Sequence, residues 1–172
     1  METEIKAVVS AILIRNNADK KEKEVFIQTR WKPEVSPAYS GMIEIPAGVI
    51  KPYENVYDAL RREVKEECGL EITKIIDDYQ TRVLEHENRD KFFAFKPFIC
   101  QQILKSENGL PWIGFVFLCE TKGDVKTDPA EVKDPKWVTI SELKEMLQTK
   151  PEIFFPLQLP VLKYFLDYIT LA

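Results

Sequence analysis

Between Gly48 and Leu70 the chain reads GVIKPYENVYDALRREVKEECGL, and no other stretch constrains its fold so strongly. Val56, Leu60, Val64 and Cys68 recur every four residues, which lines them up as one apolar stripe on a helix spanning Asn55 to Cys68. Gly69 stands where a left-handed residue ends such a helix. A helix with a single apolar stripe needs a sheet or a second helix to cover it. Glu63, Glu66 and Glu67, at steps of three and four, share another face of the same helix.

The flanking sequence supplies strands. Ile5 to Arg15 and Val25 to Arg30 are rich in β-branched and aliphatic residues on both faces, and the charged run Asn16 to Glu24 between them predicts a long hairpin with a flexible loop. Trp31 to Ser40 reads as a loop leading into a short strand, Met42 to Ile45, which Pro46, Ala47 and Gly48 stop. Further strands are expected at Ile72 to Ile76, Thr81 to Leu84, Phe92 to Leu104, Trp112 to Glu120 and Lys136 to Val138. A short helix starts at Ser141 and is interrupted by Pro151, and Leu157 to Leu171 carries a second late helical pattern. Helices placed among strands in this order predict a mixed central sheet in an α/β (α+β) sandwich.

At 172 residues the chain suits one domain over 1–172. The net charge of −4 provides no basic field for nucleic acid or an anionic membrane surface, so neither is expected as a partner. Cys68, Cys100 and Cys119 are odd in number, widely spaced and set among apolar neighbours, so all three are expected as reduced core residues. Met1 to Lys6 lacks the basic flank of a signal peptide, and Ala7 to Ile14 is too short to span a bilayer; the expected location is cytoplasmic.

Three glutamates on one patch have two readings. They form either a solvated acidic face relieved by Arg62, Lys65 and Arg61, or an oxygen-rich site for a hard divalent cation. The rest of the window decides between them. Gly48, Glu54, Arg62, Glu63, Val64, Glu66, Glu67, Gly69 and Leu70 stand at the defining positions of the Nudix box, and the window resembles that motif throughout. A chance match of its seven fixed types has odds of about one in 10^8 at a given start.

The resemblance implies a Nudix-type α/β/α sandwich and a hydrolase acting on a pyrophosphate bond. It gives Glu63, Glu66, Glu67 and the Ala47 carbonyl as ligands of Mg2+ or Mn2+. It makes Arg62 an internal counter-charge and Glu54 the carboxylate that orients it. The general base stays open: Glu63 and Glu66 compete with Glu85, Glu87, Asp128 and Glu131, with Glu131, in the loop before Trp137, preferred. His86, the only histidine, reads as a surface residue.

Glu44-Ile45-Pro46-Ala47-Gly48 is similar to the entry to the box in relatives acting on ADP-ribose and other nucleoside diphosphate sugars. Arg30 and Glu44 are the candidate substrate contacts; Arg30 reads equally as a phosphate clamp or as a strand-edge arginine in solvent. The proline that ADP-ribose enzymes carry past the box is absent from Leu84-Glu85-His86-Glu87, and Tyr79 lies too early for the tyrosine of dinucleoside polyphosphate enzymes. Trp31, Tyr39, Phe93 and Trp112 are expected mostly in the core. The partner implied is therefore a small nucleotide, with ADP-ribose or a sugar nucleotide ahead of nucleoside triphosphates and dinucleoside polyphosphates. A non-catalytic nucleotide-sensing domain is the rival, and a homodimer stays open.

Overall fold

The computed structural model describes residues 4–17, 19, 22–106 and 111–171. Its strands are β1 (Lys6–Asn17), β2 (Glu22–Arg30), β3 (Ile43–Glu44), β4 (Ala47–Val49), β5 (Glu71–Ile75), β6 (Tyr79–Gln80), β7 (Leu84–Glu85), β8 (Lys91–Phe92), β9 (Phe95–Lys96), β10 (Ile99–Ile103), β11 (Trp112–Lys122) and β12 (Val132–Thr139). The helices are α1 (Val56–Cys68), α2 (Ile140–Thr149) and α3 (Leu159–Leu171).

The backbone of the sheet runs in the order β10-β11-β1-β2-β12, with β5 on β11, β4 on β1 and β3 on β2. β1 and β11 are parallel and the other pairs antiparallel, so the sheet is mixed. Both faces of β1 are covered, which explains its unbroken apolar run. Val9, Ala11 and Leu13 pack with Phe117 and the α1 stripe, while Ile12 and Ile14 pack with Val116 and with Leu143, Leu162 and Phe165 of α2 and α3. The result is an α/β/α sandwich, as the sequence predicts.

Local signals set the helix ends. The Asn55 side chain accepts a hydrogen bond from the Tyr57 N–H at 2.9 Å, and Gly69 closes α1 at φ 71°. The Lys126 N–H then donates to the Cys68 carbonyl at 2.8 Å. Thr139 and Glu142 form a reciprocal capping box at the start of α2.

Several expectations are corrected. The strands of the first hairpin reach further than expected, pairing Asn16 with Lys23 and Asn17 with Glu22; of the loop, Ala18, Lys20 and Lys21 lie outside the described residues, as do Met1 to Thr3. Pro46 ends pairing with β2, yet Ala47 and Gly48 do not stop the chain: they open β4, which pairs with β1. The strands expected at Thr81 to Leu84 and Phe92 to Leu104 are broken into short ribbons, β6 with β9 and β7 with β8, and only β10 joins the main sheet. Pro97, which has no N–H to donate, stands between β9 and β10. Cys68 and Cys119 are buried, but Cys100 is exposed, because alternation along β10 turns it outward. Among the described residues no helix is long and apolar enough to cross a membrane.

Candidate active site

The sheet splits where β1 and β2 part. Their direct pairing covers Ile14 to Asn17 and Val25 to Glu22, after which β1 is paired by β4 and β2 by β3. The short link Ile45-Pro46 spans the split, pinned by Gln158, whose side chain accepts from the Ile45 N–H at 2.8 Å and donates to the Ile45 carbonyl at 3.0 Å. A cavity of about 370 Å3 opens at this end, within the range of small-molecule sites. Glu44, Ala47, Glu63, Glu66, Glu67 and Glu131 line it together with Arg30 and Lys32.

Glu67 is nearly buried. It accepts hydrogen bonds from Gln28 Nε2 at 3.0 Å and from the Ala47 N–H at 3.2 Å, with Lys32 Nζ 3.9 Å away. Burial, then the neighbouring Glu44 charge, pushes its carboxyl up to about 8. Burial also raises Glu44, against the pull of Arg30, whose guanidinium lies 3.3 Å away.

Arg62 organises the other carboxylates. It forks onto Glu54 at 2.7 and 2.8 Å, bonds Glu63, reaches Glu66 at 3.3 Å and donates to the Val49 carbonyl at 3.1 Å. Its hydrogen bonds hold Glu54 at about 2, and Glu54 in turn raises Arg62 above its ordinary value. Gly48 has no room for a side chain: a Cβ there would overlap the Glu63 carboxylate. The glycine that opens the window is therefore required by this contact and not by a turn, since it lies within β4.

Carboxylate oxygens with a backbone carbonyl are the donor set of a hard divalent cation. The Ala47 carbonyl is positioned to join them. In the ladder with β1, Ala47 pairs with Ser10 next to the bond from the Ala11 N–H to the Pro46 carbonyl, so Ala47 turns its own N–H and C=O away from β1, with the N–H on Glu67. Among the described residues no three acidic, histidine or cysteine side chains already converge on one point. Arg62 holds Glu63 and Glu66, and the Glu66 side chain is 59% exposed and free to turn. The donors fit in type and placement; closure of the set requires side-chain rotation within one cavity.

Of the downstream acids, only Glu131 lines the cavity, 3.6 Å from Lys32 Nζ. Glu85 pairs with Lys91 on the exposed β7–β8 ribbon, and Asp128 accepts from the Ala130 N–H in its own turn. His86 is exposed, accepting from the Asn88 N–H at 3.4 Å. Arg30 is not a solvent arginine: it lines the cavity over the Phe155 ring, 5.5 Å to the centroid. The expectation of core aromatics holds for Phe93, packed beside Tyr57, and fails for the others. Tyr39 and Trp112 are half-buried in the cavity wall, and Trp31 is half-buried under Lys133. Lys32, joining Glu67 to Glu131, was not anticipated; its place two residues after Arg30, on the same side of an extended chain, was the available signal.

A NUDIX domain family model matches residues 5–158. The chain belongs to the Nudix family. Nudix hydrolase 6 of Arabidopsis thaliana is 28% identical over 140 residues, covering 79% of this chain and 41% of that protein. A Nudix relative from Caenorhabditis elegans is 30% identical over 139 residues, covering 80% of this chain and 30% of its own length. The chain thus spans less than half the length of these two relatives. Among solved structures, the NUDIX domain of Shewanella oneidensis NrtR complexed with ADP ribose superposes with a TM-score of 0.66 at 13% identity, over 98% of this chain and 90% of that one. That similarity establishes the Nudix fold.

Proposed function

We propose that the chain is a divalent-metal-dependent pyrophosphohydrolase that cleaves a nucleoside diphosphate derivative, with ADP-ribose and related sugar nucleotides as its first substrates to test. One observation carries this reading: Glu63, Glu66 and Glu67 of the box line a single cavity together with Ala47, Arg30 and Lys32. The subgroup assignment is supported by the Glu44 to Gly48 sequence and by a fold neighbour bound to ADP ribose.

Glu63, Glu66, Glu67 and the Ala47 carbonyl would hold Mg2+ or Mn2+, which when bound neutralises phosphate charge and lowers the pKa of water. The protein supplies the rest. Gln28 and the Ala47 N–H hold the Glu67 carboxylate and Arg62 holds Glu63, while the exposed Glu66 turns to complete the set. Arg30 binds a phosphate oxygen while Glu44 holds its guanidinium in the cavity. Water adds to one phosphorus and the bridging P–O bond breaks. Glu131, which lines the cavity with Lys32 Nζ 3.6 Å away, accepts the water proton. The products are a nucleoside monophosphate and a phosphorylated partner.

The test is hydrolysis of ADP-ribose, UDP-glucose, a dinucleoside tetraphosphate and the nucleoside triphosphates with magnesium, in 18O water. Label in one phosphate product, with nucleoside monophosphate released from the diphosphate sugars, is the expected result. Inactivity on every compound with nucleotide binding retained would replace the enzyme by a sensor.

A further inference from the structure

Among the described residues three buried side-chain polar atoms lack a hydrogen-bond partner: Ser10 Oγ, Arg30 Nε and Gln101 Nε2. Such atoms are costly and scarce, and two of the three belong to residues of the cavity. Ser10 and Arg30 line the cavity. Gln101 stands beside Gly114 in the sheet: its amide and the Trp112 ring both lie over the α-carbon of Gly114, where a Cβ would come 2.8 Å from Trp112 Cζ3 and 3.4 Å from Gln101 Nε2.

The register explains the grouping. Lys6, Val8 and Ser10 alternate along β1 and therefore share a face, and their partners on β11 are Trp112, Gly114 and Val116. Gln101 on β10 is the next neighbour of Gly114. The missing side chain at Gly114 leaves a shallow trough in the sheet, and Trp112 lies in it with one part exposed to the cavity. Ser10, only 2% exposed, sits where this face turns from cavity wall to apolar core at Ile12.

We infer that this β1–β11 wall is the base subsite: Trp112 stacks on a nucleobase and Ser10 hydrogen-bonds its edge, while the phosphates lie at Arg30. This deepens the proposed hydrolase reading by assigning its specificity. The wall is apolar at Val8 and carries the Ser10 hydroxyl, with the Lys6 ammonium at its Trp112 end, so it offers a stacking ring and donors suited to the ring nitrogens and carbonyls of a base.

The inference is tested by calorimetric binding of AMP and of ribose 5-phosphate, which lacks the base, to the full chain with a chelator present. The native protein should bind AMP at least tenfold more tightly. Trp112→Ala should weaken AMP about 5- to 100-fold and leave ribose 5-phosphate unchanged. Ser10→Ala should weaken AMP about 3- to 10-fold. The same Ser10→Ala change should also raise the melting temperature of the free protein by about 2–4 °C, because it removes an unpaired buried hydroxyl. A hydroxyl with a structural role would lower it. Trp112→Phe, which keeps a stacking ring, should retain most of the AMP affinity and guards against misfolding in the alanine variant. Equal binding of AMP and ribose 5-phosphate, absence of AMP binding, or variants that weaken both ligands alike would overturn the assignment. Binding needs no turnover, so a chain that prefers AMP but hydrolyses nothing keeps the base subsite and loses the hydrolase reading; a hydrolase indifferent to the base does the reverse.

Discussion

The Glu63 carboxylate lies against the α-carbon of Gly48, in space that any side chain at position 48 would take. The first glycine of the box and its first helix glutamate are thus coupled by contact although a turn and half a helix separate them. Gly48→Ala should displace Glu63 from its place beside Arg62 and lower kcat by about 100-fold, the scale of a misplacement near 1 Å. Steady-state kinetics alongside circular dichroism checks this; a folded Gly48→Ala protein with native kcat would mean that the position of Glu63 is unimportant.

Arg62 makes five hydrogen bonds from one guanidinium, two of them to Glu54. A lysine keeps the charge and loses the fork. Arg62→Lys should therefore cost about 10- to 100-fold in kcat or metal affinity, with the fold intact. Titration of magnesium against activity separates the two effects, and an unchanged profile would show that the guanidinium does not set the carboxylates.

Glu67 and Glu54 respond to pH with opposite signs. The folded value of Glu67, about 8, lies above its ordinary 4.5, so the folded state holds the proton more tightly, and metal-free stability from this group falls as pH rises from 4.5 through 8. Glu54 is held at about 2, below 4.5, so its contribution is present above 4.5 and lost as pH falls toward 2. Magnesium binding needs ionised Glu67 and should release a proton below pH 8. Melting curves from pH 5 to 9 with and without magnesium should converge at low pH and separate toward pH 8, and Glu67→Gln should abolish the separation. A native separation that is constant with pH would be inconsistent with a buried, protonated Glu67.

Thiol chemistry reads the burial of the three cysteines. Cys68 and Cys119 are buried, with burial pushing both thiols up, while Cys100 is exposed on β10. One thiol should react with a disulfide reagent in the native protein and all three in denaturant, and Cys100→Ser should remove the fast phase. Rapid reaction of two or three thiols would contradict the packing of α1 on β1 and β11.

What could be read from the sequence was local. The four-residue spacing of Val56 to Cys68 gives the α1 stripe, and Asn55 and Gly69 give its ends, because capping and periodicity act within a few residues. The same spacing shows that Glu63, Glu66 and Glu67 share a face, but not that Glu67 alone is buried. That follows from Gln28 on β2 and Ala47 on β4 closing over it, a contact across 39 residues in the first case. Tyr39 and Trp112 were expected inside because aromatic residues in strand patterns usually are; they line the cavity because the sheet splits between β1 and β2, which no periodicity records. The segment from Tyr79 to Lys96 has strand composition yet forms only two-residue ribbons, since neither ribbon joins the main sheet.

The most direct measurement is magnesium-dependent release of AMP from ADP-ribose by the native chain and by Glu67→Gln, with folding of both verified by circular dichroism. The proposed chemistry predicts release that requires the metal and is lost in Glu67→Gln. Release without any divalent ion, or undiminished release by a folded Glu67→Gln protein, would contradict it.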